Sequence, residues 1–260
     1  MGSALPVIII GVMGHRDVDE AHIASAAQSI HDLLQELQEI TCGRARLIAA
    51  SALAAGADQL FAREALSHGL DVIVPLPMMR EEYRSTLADP NAVAVFDTLA
   101  RQAQCFYVAD WKEAPPLRTD LPAADAPYRR LGDVLDSTCA VLVAVWDGTF
   151  TGAVGGTGDT VARRLARDRP PAPIFWIPVS RRSGSHTRGS TNSRPGFIGA
   201  GPVPGELSQV AAADVHRMLR RACDNADSPA DDESLKALRT RMGRAADLTH
   251  WLLRSDSRSV

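Results

Sequence analysis

The sequence predicts an α/β fold: a doubly wound, mostly parallel Rossmann-like sheet with a helical C-terminal extension. Three observations predict it. Short β-branched runs alternate with amphipathic helical stretches through the first two thirds of the chain. The strongest runs are apolar throughout rather than alternating, as strands covered on both faces must be. Polar, glycine-bearing segments follow several of these runs, on the side of a parallel sheet where ligands collect.

Taken in order, Pro6–Val12 is a continuous apolar run and the first strand. Asp19 stands where it can cap the next helix, in which Ile23, Ala26, Ala27, Ile30, Leu33, Leu34 and Leu37 fall at helical spacing. Arg46–Ala50 is a short second strand ending at Ser51. Gly56-Ala57-Asp58 then opens a helix that His68-Gly69 can close. Asp71–Leu76 is the third strand, and residues 80–103 are helical in two pieces broken near Asp89-Pro90. Gln104–Val108 is the fourth strand. Pro115, Pro116 and Pro122 keep 111–127 irregular. A helix from Tyr128 to Ser137 precedes Cys139–Trp146, the strongest strand in the chain. A glycine-rich turn, a helix from Thr157 to Asp168 and a sixth strand at Pro173–Ile177 follow.

This divides the 260 residues into an α/β ligand-binding domain (1–179), a flexible Arg/Ser/Gly-rich loop (180–205) and C-terminal helices (206–260). The helical patterns are Glu206–Cys223 and Ser234–Leu253.

Hydrophobic residues at 45% and charged residues at 23% suit a folded domain. The net charge of -3 argues against a broadly basic, nucleic-acid-coating protein, so nucleic acid is not expected as a partner. The charge is uneven, however. Residues 1–162 hold 11 basic and 21 acidic groups, whereas 163–194 hold eight arginines against Asp168. The cysteines, Cys42, Cys105, Cys139 and Cys223, show no CxxC pairing and read as free thiols of a reducing cytosol. The N-terminus lacks a basic signal-like region, and no apolar stretch reaches the roughly 18 residues of a membrane span. A cytoplasmic protein without a membrane partner is expected; self-association is left open.

Three strand ends carry the candidate chemistry. The first strand leads into Gly14-His15-Arg16-Asp17, the second into Ser51 and Gly56-Ala57-Asp58, and the fifth into Trp146-Asp147. Beyond Asp147 lies Gly155-Gly156-Thr157-Gly158 at a helix start, where bare backbone N–H groups and the positive helix end suit phosphate. It is neither a Walker loop nor a GxGxxG fingerprint, and a plain turn is its simpler reading. Arg16 is a fork donor for phosphate or carboxylate, or a partner for a neighbouring acid that holds the loop. Ser51 and Asp58 are ribose or phosphate contacts, or helix caps. Trp146 and Asp147 stack on and bond a base, or fill the core and form a turn. The scattered histidines suggest no metal site, and no cofactor is required.

Gly-His-Arg-Asp, Ser-x-Leu-Ala-x-Gly-Ala-Asp and Ala-Val-Trp-Asp-Gly before Gly-Gly-Thr together resemble the SLOG family over residues 6–178. That family shares a Rossmann-like superfamily with the LOG phosphoribohydrolases. The resemblance implies a sensor-type pocket for a nucleotide or nucleotide-derived signal, such as an ADP-ribose-like molecule. A hydrolase of nucleoside 5′-monophosphates is the alternative, and an interaction module of a larger bacterial defence or signalling system is a third. The hydrolase reading would make Arg130 (or Arg129) and Asp159 catalytic. Yet Thr160 stands where the LOG pattern has Glu, and Ala55 and Gln59 stand where the SLOG pattern usually has Glu and Arg. Both departures favour binding over glycosidic cleavage.

Overall fold

A computed structural model describes residues 5–166, 172–182, 193–201, 206–224 and 232–255. Its strands are β1 (Val7–Gly14), β2 (Arg46–Ala50), β3 (Asp71–Leu76), β4 (Gln104–Tyr107), β5 (Cys139–Trp146), β6 (Ile174–Pro178), β7 (Gly196–Ala200) and β8 (Leu207–Gln209). The helices are α1 (Glu20–Thr41), α2 (Ala57–Ser67), α3 (Arg80–Ser85), α4 (Pro90–Ala100), α5 (Ala126–Thr138), α6 (Thr157–Arg164), α7 (Ala212–Asp224) and α8 (Glu233–Ser255). All eight strands form one sheet in the order β4-β3-β2-β1-β5-β6-β7-β8, parallel except at its β7–β8 end. The fold is therefore the expected Rossmann-like α/β architecture with a helical C-terminal part.

Local chemistry explains the element starts. Asp19 caps α1 by accepting from the Ala21 N–H at 3.0 Å. Asp89 does the same for α4 through Asn91, with Pro90 in the first turn, and this splits α3 from α4. The chain walks outward from β1 to β4 and then returns to β5 on the other side of β1. Right-handed crossovers would send helices to opposite faces on the two sides of that reversal, and such a switch point is where open α/β sheets hold their ligands.

Two segments differ from the sequence expectation. β7 lies within 180–205, where a flexible loop is expected. Gly196 and Gly199 weaken the strand signal there, but Phe197 and Ile198 are buried against the apolar end of the sheet. The expected helix at Glu206 starts only at Ala212, because β8 completes an antiparallel hairpin with β7 first. The C-terminal helices pack back on the sheet. α8 lies across β1 and β5, α7 packs on α1 and α8, and Val215, Leu219, Leu235 and Leu248 join the core of the sheet. Of the Arg-rich stretch, Arg181 and Arg182 dock on Asp17 and Glu20 at 3.0 and 3.3 Å, while 183–192 lie outside the described residues. No helix among the described residues is long and apolar enough to cross a membrane.

Candidate functional site

At the β1/β5 reversal sits a cleft of about 380 Å³. Gly14 and Arg16 after β1, Ala54 and Asp58 around the start of α2, Tyr83 of α3, Tyr128 of α5 and the Gly155–Thr157 turn all face it. The three strand ends singled out from the sequence thus do converge, though not every residue in them reaches the cleft.

Arg16 and Asp58 are its charged groups. The Arg16 guanidinium carbon stands 5.8 Å from the centre of the Tyr128 ring, close enough for a cation–π contact. Asp58 is almost fully buried. Burial pushes its carboxyl up from 3.8 to about 7, against the opposing pull of Arg16 and of N–H donors from Ala54 and Ala52. Tyr83 is buried above it, its phenol raised by burial and by the Asp58 charge. A carboxyl whose folded pKa is raised contributes stability below its unfolded pKa and loses it as pH rises through the folded one. Asp58 should therefore erode stability between pH 3.8 and about 7. Asp58→Asn should flatten that fall, as measured by urea unfolding at several pH values. Parallel curves for the two proteins would show that the buried carboxyl does not titrate there.

Ser51, His15, Asp147 and Trp146 brace the rim from behind. The fully buried Ser51 hydroxyl donates to the Asp58 carbonyl at 2.9 Å and accepts the Leu53 N–H at 3.1 Å, holding Leu53 at φ +58°. His15 Nε2 accepts the Asp147 N–H at 3.1 Å, and burial lowers the imidazole pKa, which keeps that nitrogen an acceptor. The Asp147 carboxylate takes the Thr149 N–H at 2.9 Å and shapes the turn after β5. Trp146 is 1% exposed, donates its indole N–H to Thr149 and packs edge-on to Phe150, so its ring lies in the core. Gly56 sits beneath the first loop; a Cβ there would fall 2.5 and 2.6 Å from the His15 and Arg16 carbonyl oxygens.

The glycine turn is tied down by Asp159. Its carboxylate accepts the Gly155 N–H at 3.0 Å and lies 3.4 Å from Arg163 Nε and 3.7 Å from Arg129. Asp133 bridges the same two arginines from α5. Gly155, at φ +72°, lies so close to the start of α5 that a Cβ would meet the Arg129 nitrogen at 2.9 Å. The first-turn N–H groups of Thr157 and Gly158 have no acceptor among the described residues. Arg130 faces away: its Nε donates to the Pro115 carbonyl at 2.8 Å. Of the two arginines named from the sequence, Arg129 is the one turned to Asp159, one position before Arg130 on α5. Tyr128, in the first turn of α5, is a cleft residue that sequence reasoning missed.

No protein-family model matches the sequence, and no curated protein does. Among solved structures, the chain is similar to DNA processing protein A from Streptococcus pneumoniae at 15% identity and a TM-score of 0.44. The match covers 72% of this chain and 54% of that one, so the chain spans about half the length of that neighbour. It is also similar to DNA processing protein A from Helicobacter pylori, described by its single-stranded DNA binding mode, at 14% identity and a TM-score of 0.40, with 69% of each chain covered. These neighbours correct two expectations. The expected nucleotide-derived signal and the expected absence of nucleic acid both run against the second neighbour's description, which is of single-stranded DNA binding by that protein. A whole-chain charge of -3 does not report where single charges sit, and Arg16 faces the cleft.

Proposed function

We propose that the cleft binds single-stranded nucleic acid, with a phosphate on the first turn of α6 and a base against Tyr128. The observation that carries this reading is the pairing of Arg16 with the Tyr128 ring beside the acceptor-free Thr157 and Gly158 N–H groups. An aromatic face and a guanidinium are the parts a sequence-tolerant single-strand site uses, since every base has a π-face and every nucleotide a phosphate. Asp159 does not oppose a bound phosphate strongly, because Arg129 and Arg163 already balance it. The similarity of the strand-end motifs to the SLOG family belongs to the same reading, with the shared sheet-edge pocket turned to a polymer.

The test is fluorescence anisotropy with a labelled oligothymidylate, a duplex of equal length and a salt series. Binding should favour the single strand and weaken with salt as phosphate contacts release counterions. Tyr128→Ala should weaken it by about 5- to 100-fold, the range of one lost stacking partner. Failure of any oligonucleotide to bind at about 50 mM salt, where phosphate contacts are strongest, would overturn the proposal.

A further inference from the structure

A cavity of about 620 Å³, larger than the sheet-edge cleft and sharing no residue with it, lies between the β7–β8 hairpin, α7 and the start of α8. Its walls are largely apolar, with Ile198, Val215, Met218 and Leu235 facing inward from three elements. A cavity of this size is in the range that takes a small organic molecule.

Its polar groups are biased toward cations. Arg164 is on the wall with its side chain fully buried, and its Nε–H has no acceptor among the described residues. Arg217 and Arg221 stand one turn apart on α7. Arg221 is exposed and pairs with no carboxylate among the described residues. The two acids on the wall are already engaged. Asp214 pairs with Arg217 at 3.1 Å, and Asp232 accepts the Ser234 N–H at 2.8 Å as the cap of α8. An incoming anion would therefore meet the acceptor-free Arg164 Nε–H and the exposed Arg221, whereas an incoming cation would have to displace existing bonds.

We propose that this cavity is a second ligand site, for a small organic anion with an apolar body and a single carboxylate or sulfonate head. The body fills the apolar space, and the head lies at the arginine edge. The proposal is independent of the nucleic-acid reading.

The experiment uses the full chain and the reporter 8-anilinonaphthalene-1-sulfonate, which joins an aromatic body to an anionic head. Its fluorescence should rise saturably, and 4-phenylbutyrate should displace it while 4-phenylbutylamine, with the same body and opposite charge, should not. Arg217→Gln with Arg221→Gln should weaken the reporter about tenfold, the scale of a lost charge-assisted contact. Met218→Trp should block it by filling the space. Unchanged far-ultraviolet circular dichroism and a retained melting transition separate these losses from unfolding. A raised melting temperature with 4-phenylbutyrate separates binding to the folded cavity from binding to loosened chains. Equal displacement by the amine, or an unchanged affinity in the double arginine variant, would overturn the proposal. Displacement by an oligonucleotide would also overturn it, since both ligands would then share one surface.

Discussion

Arg164→Met is expected to lower the unfolding free energy by about 3–5 kcal/mol, the scale for removing one partner of a buried, hydrogen-bonded charge. The Arg164 side chain is fully buried at the end of α6. It donates to the carbonyls of Asp136, Cys139, Ala140 and Pro173 and to the Asp136 carboxylate, over 2.8 to 3.3 Å. These acceptors lie where α5 meets β5 and just before β6, so one side chain joins three elements. Burial, together with the nearby Arg241 charge, lowers its pKa to about 10, so the guanidinium still carries its proton at neutral pH. Methionine matches the bulk but leaves those oxygens without donors. Lysine restores the charge without the fork and should recover only a small part of the loss. Urea unfolding followed by circular dichroism measures both. A loss under about 1 kcal/mol would mean that water or Arg241 satisfies the acceptors instead.

Gly56→Ala should have the second largest effect, and it should reach function. The residue holds φ +75°, and a Cβ would press on the backbone carbonyls of His15 and Arg16, which cannot swing aside as a side-chain tip could. A loss of more than about 2 kcal/mol is expected, roughly the left-handed strain alone plus the displaced loop. Because that loop carries Arg16, oligonucleotide affinity should fall at least tenfold in molecules that remain folded. Gly43→Ala is the matched control: its φ is +68°, and nothing lies within 4 Å of the added Cβ. It should lose only about 1–2 kcal/mol and leave binding unchanged. Equal effects at the two positions would show that backbone strain, not contact with the first loop, sets the outcome.

Much of the fold could be read from the residues because parallel strands declare themselves. Val7–Gly14 and Cys139–Trp146 are apolar on both faces, and the helices between strands carry clear caps such as Asp19 and Asp89. β7 and β8 were harder. A two-strand hairpin of which one strand holds two glycines and the other spans three residues gains its stability from pairing with β6, a long-range contact no local pattern reports. At the site, convergence of the three strand ends was legible, but side-chain direction was not. Arg129 and Arg130 differ by one position, about 100° around a helix, and only the first turns to Asp159. Trp146 ends a central strand, and which way it points depends on the pleat and on the Thr149 carbonyl waiting behind it. The exclusion of nucleic acid followed charge summed over the chain, whereas binding depends on where the charges sit.

The path of α8 bears on how the molecule comes into being. β1 is made long before α8, the helix that lies over it and over β5. Until α8 arrives, a nascent chain must carry the bare apolar face of its most central strands. Such surfaces associate wrongly, and pairings between distant parts of a chain form slowly. Between the making of β1 and the making of α8, a chain in synthesis is therefore at its most vulnerable. A chaperone that shields strand faces should raise the yield of native protein in cell-free translation.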